Sequence, residues 1–201
     1  MSTLTELQST IAQLTARGKG ILAADESVAT ITKRLQTIGV ESTEESRRTY
    51  RDLLLTTPQF NDYVCGVILF EETLNQSTLD GTPFAKALND RGIVPGIKVD
   101  KGLIPLSSTC AEQVTQGLDG LGERLQKYKF QGARFAKWRA VYAVGHCSPS
   151  KAVNGLNAVS LARYAAICQD NGIVPIVEPE VLIDGDHTIE QCEKSVDESV
   201  A

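Results

Sequence analysis

The chain has 201 residues, of which 42% are hydrophobic and 22% charged, and its net charge is -5. These values are typical of a globular protein with a sizeable core, and they exclude disordered, collagen-like and disulfide-scaffold classes. The acidic balance also offers no chain-wide basic surface for nucleic acid or an anionic membrane.

Short apolar runs recur along the chain, and each ends in polar or charged residues. Their length of four to eight residues favours buried parallel strands over helices. Amphipathic segments separate them, which predicts an alternation of strands and helices. The five runs are Gly20 to Ala24, Cys65 to Phe70, Ile93 to Val99, Ala133 to Trp138 and Ile173 to Val177.

Start and stop signals mark the helices between these runs. A serine or threonine caps free N–H groups at a helix start, proline is tolerated in the first turn, and glycine ends a helix. Four segments carry such signals: a capping box of Ser42 and Glu45, a helix from Thr82-Pro83 to Gly92, a segment Ser150 to Asp170 bracketed by Ser148-Pro149 and Asn171-Gly172, and a last helix capped by Thr188.

The alternation predicts an α/β fold. Crossovers longer than a dozen residues require a parallel sheet covered by helices, either an open doubly wound sheet or a (β/α)8 barrel. The glycine fingerprint of a dinucleotide site does not follow the first strand, since Gly18-Lys19-Gly20 precedes it and Gly117 to Gly122 has the wrong spacing. No linker or composition shift divides the chain, so we expect a single domain over residues 1–201.

Charged residues cluster where the apolar runs end. Side chains two apart share a strand face, and ionised groups there are costly to bury unless they are paired or used. This predicts one polar site at the carboxyl ends of the strands, suited to a phosphorylated polyol, although a structural network of ion pairs is an alternative. The residues are Asp25 and Glu26, Lys98 and Asp100, Lys137 and Arg139, and Glu178 and Glu180.

Motifs along nearly the whole chain resemble the class I fructose-1,6-bisphosphate aldolase family, in that family's order. The matching strings are GKGILAADES (Gly18 to Ser27), EESRRTYR (Glu44 to Arg51), GVILFEETL (Gly66 to Leu74), GIKVDKG (Gly96 to Gly102), TQGLDGL (Thr115 to Leu121), FAKWR (Phe135 to Arg139), LARYAAICQDNGIVPIVEPE (Leu161 to Glu180) and DGDH (Asp184 to His187).

The resemblance implies a (β/α)8 barrel in glycolysis or gluconeogenesis that cleaves fructose 1,6-bisphosphate reversibly through a lysine Schiff base, without a metal or other cofactor. The products would be dihydroxyacetone phosphate and glyceraldehyde 3-phosphate. Asp25 would handle the hydroxyl proton at the breaking bond, and Glu178 would assist carbinolamine dehydration. The other implied roles are substrate hydroxyl binding by Lys137, orientation of neighbours by Glu180, and phosphate binding by Ser27, Arg34, Arg47, Lys98 and Arg139.

The chain departs from the family pattern in two ways. Val28-Ala29-Thr30 stands where the family commonly has Thr-Gly-Ser. The family's Schiff-base lysine lies on the sixth strand in a motif like GTLLKPNM, and no such segment is present. Strand spacing supports the same interpretation, because eight such units need roughly 300 residues. We therefore expect only the first five βα units of a barrel, inactive alone; the alternative is a non-catalytic relative that binds sugar phosphates or associates with longer subunits.

The remaining features predict location and assembly. Five cysteines without a C-x-x-C motif favour a reducing cytoplasm, and neither a leader nor a membrane span is expected. The family implies a homotetramer. His146 and His187 lie in no ligand cluster, and Asp184 to His187 is expected to form a turn rather than a calcium loop. Trp138 is expected to pack behind the site, and the cysteines to be buried apolar groups.

Overall fold

A computed structural model describes residues 2–106, 112–145 and 149–200. The elements are α1 (Thr3–Leu14), β1 (Gly20–Ala24), α2 (Val28–Thr37), α3 (Glu44–Leu55), α4 (Phe60–Tyr63), β2 (Val64–Leu69), α5 (Glu71–Leu74), α6 (Phe84–Asp90), β3 (Val94–Lys98), β4 (Leu103–Pro105), β5 (Gln113–Thr115), α7 (Leu121–Phe130), β6 (Phe135–Tyr142), α8 (Lys151–Asp170), β7 (Val174–Val181) and α9 (Ile189–Val200).

The main sheet has the order β1-β2-β3-β6-β7, and every neighbouring pair is parallel. This order follows the sequence without reversing, whereas a doubly wound sheet reverses at its switch point. The arrangement confirms the α/β class and corresponds to neighbouring strands of a (β/α)8 barrel. All five predicted strands are present.

The last two strands of this sheet are longer than predicted. β6 and β7 stay paired from Phe135 and Val174 through Tyr142 and Val181. The predicted runs ended at Trp138 and Val177, which was wrong, because backbone pairing continues past both residues. Pro179 is tolerated within β7, since β7 is an outer strand of the sheet in the described part of the chain.

The hairpin of β4 and β5 was not predicted. Its strands pair antiparallel from Leu103 with Thr115 to Pro105 with Gln113. It docks on β6, where the Thr115 hydroxyl donates to the Arg139 carbonyl at 2.7 Å. The hairpin therefore packs on the strand that carries the predicted site residues Lys137 and Arg139.

Helix ends follow the predicted signals with local corrections. The capping box of α3 uses Thr43 and Ser46, not Ser42 and Glu45, because the Ser42 hydroxyl instead accepts from Thr32 at 2.7 Å. The further boundaries are Pro83 as the N-cap of α6, Ser150 as the N-cap of α8, and Thr188 bonded reciprocally to Gln191 before α9. Ser148, which was predicted to flank the segment of α8, lies outside the described residues, as do Cys110, His146 and Cys147.

Helix α1 closes the amino-terminal end of the sheet. Leu14 and the Phe135 ring share a small buried cluster with residues of β2, β3 and β7. A Cβ on Gly96 would come within 2.3 Å of the Phe135 ring, so glycine is needed there to admit the ring. This end of the sheet is filled by side chains, which leaves the opposite, carboxyl end for a ligand.

Candidate functional site

A cavity of about 420 Å³ opens at the carboxyl ends of β1, β3 and β6. It brings together most of the residues predicted for the site. Its lining consists of Asp25, Glu26, Ser27, Thr30, Arg34, Lys98, Asp100, Gly102, Leu103, Lys137 and Arg139. Larger grooves of about 700 and 770 Å³ run beside α7, but their linings contain none of the predicted site residues.

Lys137 lies between two carboxylates at the floor of this cavity. Its Nζ is 2.8 Å from Asp25 Oδ2 and 3.1 Å from Glu178 Oε2, and both Lys137 and Asp25 are buried. Strand alternation and register explain the contact, because Lys137 on β6 pairs with Ile176 on β7, so that Glu178 on the same face lies within reach. The three side chains form one salt-bridged cluster.

Burial alone would lower the pKa of Lys137. The hydrogen bond to Asp25 and the charges of Asp25 and Glu178 outweigh this effect and raise the pKa above its ordinary value. Lys137 is therefore an ammonium donor at neutral pH. It is unsuited to act as a free-amine nucleophile, which requires a lowered pKa.

A second cluster lies beside the start of α2. Glu26 forms ion pairs with Arg34 and with the buried Arg51, the latter at 2.7 Å. Ser27 caps α2, its hydroxyl oxygen accepting from the backbone N–H of Thr30 at 3.3 Å. This side of the cavity combines cations, hydroxyls and a helix N-terminus, the groups that favour an anionic ligand.

Two further ion pairs flank the cavity. Lys98 pairs with Asp100 at the end of β3. Arg139 on β6 pairs with Glu180 on β7 at 2.8 Å, and both side chains are partly exposed. Glu178 and Glu180 do not line the cavity themselves, but each contacts a residue that does.

Arg47 lies apart from these groups. Its guanidinium forms a two-pronged ion pair with Glu72, at 2.8 and 2.6 Å, and the residue does not line the cavity. A phosphate contact by Arg47 would have to displace this pair. Its predicted role stays a prediction.

Sequence reasoning missed Arg51 and assigned no role to Glu26. Arg51 is only 3% exposed although it is charged, and it lies one helical turn before the buried Leu55. A charged residue on the apolar stripe of an amphipathic helix was the available signal, because such a residue needs a buried partner. Thr30, which lines the cavity, was noted in the sequence only as a departure from a family motif.

Other candidate sites are weaker. Within residues 2–106, 112–145 and 149–200, no group of three or more His, Cys, Asp or Glu side chains is placed to hold a metal ion, and no helix is long and apolar enough to cross a membrane. Cys65 and Cys168 are buried as predicted, while Cys192 is only half-buried. Trp138 is fully buried against Tyr164, which confirms its packing role.

Comparisons with known proteins agree with this architecture. A family profile described as "Fructose-bisphosphate aldolase class-I" matches residues 6–201. A protein of Xanthomonas campestris named "Probable fructose-bisphosphate aldolase class 1" is 58% identical over 93% of the chain and 56% of its own length. Fructose-bisphosphate aldolase C of Carassius auratus is 59% identical over 94% of the chain and 52% of its own length.

A solved structure supports the fold directly. The fructose-bisphosphate aldolase of Plasmodium falciparum, crystallised with TRAP and a small-molecule inhibitor, superposes with a TM-score of 0.90 at 47% identity. The match covers 98% of this chain and 60% of that one. The chain thus spans somewhat more than half the length of the relatives that it matches.

Proposed function

The chain belongs to the class I fructose-bisphosphate aldolase family, and from this premise we propose that it supplies the acid–base and phosphate-binding part of an aldolase site. The substrate is fructose 1,6-bisphosphate, which is cleaved reversibly to dihydroxyacetone phosphate and glyceraldehyde 3-phosphate. The observation that carries the proposal is the cluster of Lys137 with Asp25 and Glu178 in the cavity at the carboxyl ends of the strands.

Asp25 is the base in this proposal. When the carbon–carbon bond breaks, its electron pair moves toward an iminium carbon, and the adjacent hydroxyl must lose its proton. A carboxylate paired with an ammonium 2.8 Å away is placed to accept that proton. Lys137 in turn donates hydrogen bonds to substrate hydroxyls, which its raised pKa allows throughout the neutral range.

Glu178 and Glu180 have different surroundings and take different roles. Glu178 contacts Lys137 and has a partly exposed side chain, so it can exchange protons with a carbinolamine hydroxyl that leaves as water. Glu180 holds Arg139 at 2.8 Å and orients it toward a substrate phosphate. Ser27, Arg34 and Lys98 hold the phosphate at the other end of the cavity.

The Schiff base itself requires another lysine. The family motif that bears it has no counterpart in the 201 residues. Lys137 is unsuited to the role because its pKa is raised, whereas a Schiff-base lysine must react as a free amine. We therefore propose that these residues form no covalent intermediate on their own. The homotetramer and the cytoplasmic location likewise stay proposals, supported by the family resemblance and by relatives with names such as "Fructose-bisphosphate aldolase 6, cytosolic" in Arabidopsis thaliana.

A cleavage assay tests this function in the complete gene product that contains these residues. Triose phosphate should form from fructose 1,6-bisphosphate, and Asp25→Asn should reduce kcat by about 100-fold or more, as expected for loss of a positioned base. The matched control Asp90→Asn alters an exposed carboxylate on α6 and should leave kcat unchanged. Cleavage at the wild-type rate by Asp25→Asn would contradict the proposal.

A second candidate is a non-catalytic subunit that binds sugar phosphates. It is favoured by the outer strands β1 and β7, which pair on one side only within the described residues. Such strands can pair with another chain. A gene product that binds a sugar bisphosphate, releases no triose phosphate and co-purifies as one species with longer aldolase subunits would support this candidate.

A further inference from the structure

The charges around the cavity are distributed unevenly. The cluster of Lys137 with Asp25 and Glu178 sums to one negative charge. Lys98 with Asp100, and Arg139 with Glu180, are balanced pairs. Among the ion-paired groups described at this cavity, a surplus of positive charge belongs to the cluster of Arg34, Glu26 and Arg51.

The surplus depends on Arg51, which does not line the cavity. Arg51 extends from α3 and is buried, while Arg34 extends from α2 and its side chain is 60% exposed. Glu26 lies between them, with one carboxylate oxygen on each guanidinium. Without Arg51, the carboxylate of Glu26 would neutralise Arg34 fully, and a phosphate would have to compete with it.

Arg51 also holds the backbone at the end of β1. Its second guanidinium nitrogen donates to the Glu26 carbonyl at 3.4 Å, and its guanidinium carbon lies 5.3 Å from the centre of the Tyr50 ring. Arg51 therefore holds Glu26 both by its carboxylate and by its backbone carbonyl. Since Glu26 lies between Asp25 and Ser27 in the chain, the same contacts fix the part of the loop that lines the cavity.

From this arrangement we infer that Arg51 is a positioning residue for the substrate. It neutralises the carboxylate of Glu26 without lining the cavity itself. The positive charge of Arg34 is then available to the phosphate group that binds beside the start of α2. The inference rests on the proposed function and adds to it a residue that never touches the ligand. Glu26 then has two effects on Arg34. Its carboxylate orients the guanidinium, and it also weakens the attraction of Arg34 for an anion.

The test is equilibrium binding of a non-cleavable hexitol 1,6-bisphosphate to the complete gene product, measured by titration calorimetry at fixed low ionic strength. Arg51→Met should weaken binding about tenfold, which corresponds to about 1.4 kcal/mol. The double variant Arg51→Met with Glu26→Gln also removes the competing carboxylate. Its affinity should return to within about threefold of wild type, a smaller loss than the roughly tenfold loss expected for Arg51→Met alone.

Two controls separate charge from folding. Arg48→Met removes another arginine of α3, which is partly exposed and paired with the exposed Glu45, and should leave affinity unchanged. The double variant leaves no buried charge unpaired, so it keeps the inference testable even where Arg51→Met alone unfolds.

Three results would count against the account. Wild-type affinity in a folded Arg51→Met variant would overturn the inference, as would a folded double variant that binds about tenfold more weakly than wild type, by about 1.4 kcal/mol. Absence of binding by the unaltered protein would overturn the proposed function, and the inference with it.

Discussion

Replacing Lys137 by methionine removes the cation from the centre of the site while keeping most of the side-chain volume. Asp25, whose side chain is 10% exposed, then loses its partner at 2.8 Å. Breaking a buried ion pair from one side costs about 3–5 kcal/mol. The side chain of Glu178 is 36% exposed, so water solvates its carboxylate and offsets much of the free-energy cost of losing Lys137 there. We expect the free energy of unfolding of the complete gene product to fall by about 3 kcal/mol at neutral pH.

The pH dependence of this loss follows from the raised pKa of Lys137. A lysine whose folded-state pKa lies above its ordinary value of 10.5 stabilises the fold fully below that value, and the stabilisation disappears as the pH rises through the folded value. Urea unfolding followed by circular dichroism should therefore show a wild-type advantage that is constant near neutral pH and shrinks above about pH 10.5. The control Lys86→Met breaks an exposed pair with Asp90 and should cost less than about 1 kcal/mol. Equal losses for the two variants would show that the Lys137 cluster contributes no more to stability than an exposed ion pair.

Three further predictions concern the support of the site. Gly96→Ala places a Cβ 2.3 Å from the rigid Phe135 ring and should lower the free energy of unfolding in urea by about 1–3 kcal/mol. Gly66→Ala should cost less, because its nearest contact is the movable end of Leu14, and the reverse order would contradict this expectation. Burial and the hydrogen bond to Glu71 raise the pKa of Tyr128 to about 12. The tyrosinate absorbance that Tyr128→Phe removes should therefore come only from the most alkaline part of a spectroscopic titration. Removal of absorbance near the ordinary pKa of 10 would be inconsistent with the structure. Glu112→Gln weakens the acceptor of the Ser150 backbone N–H and hydroxyl at 2.6 and 2.7 Å and should destabilise the start of α8 by about 1–3 kcal/mol, whereas unchanged urea unfolding would show that this contact contributes nothing.

The strands and the gathering of charges could be predicted because both depend on short-range periodicity. Residues two apart on a strand share a face, so Lys137 and Arg139, or Glu178 and Glu180, had to point the same way. Parallel strands also end at one edge of the sheet, which brought Asp25 and Lys98 to the same cavity. These inferences required no knowledge of which strands are neighbours.

The partners of those charges could not be predicted, because they depend on tertiary contacts. Lys137 on β6 reaches Asp25, which follows the end of β1, and Arg51 reaches Glu26 from a helix, 25 positions further along the chain. The β4–β5 hairpin escaped prediction for a related reason. Its strands have three residues each, too short for a clear alternation, and its Thr115 is bonded to the Arg139 carbonyl on β6.

We propose that these 201 residues provide the base, the acid and the phosphate cations of the site but not its Schiff-base nitrogen. Borohydride reduction in the presence of dihydroxyacetone phosphate, followed by peptide mass mapping, tests it most directly. In a complete gene product that cleaves the bisphosphate, the added triose mass should lie on a lysine outside the 201 residues, and the 201-residue chain alone should stay unlabelled. A labelled Lys98 or Lys137 would contradict the account.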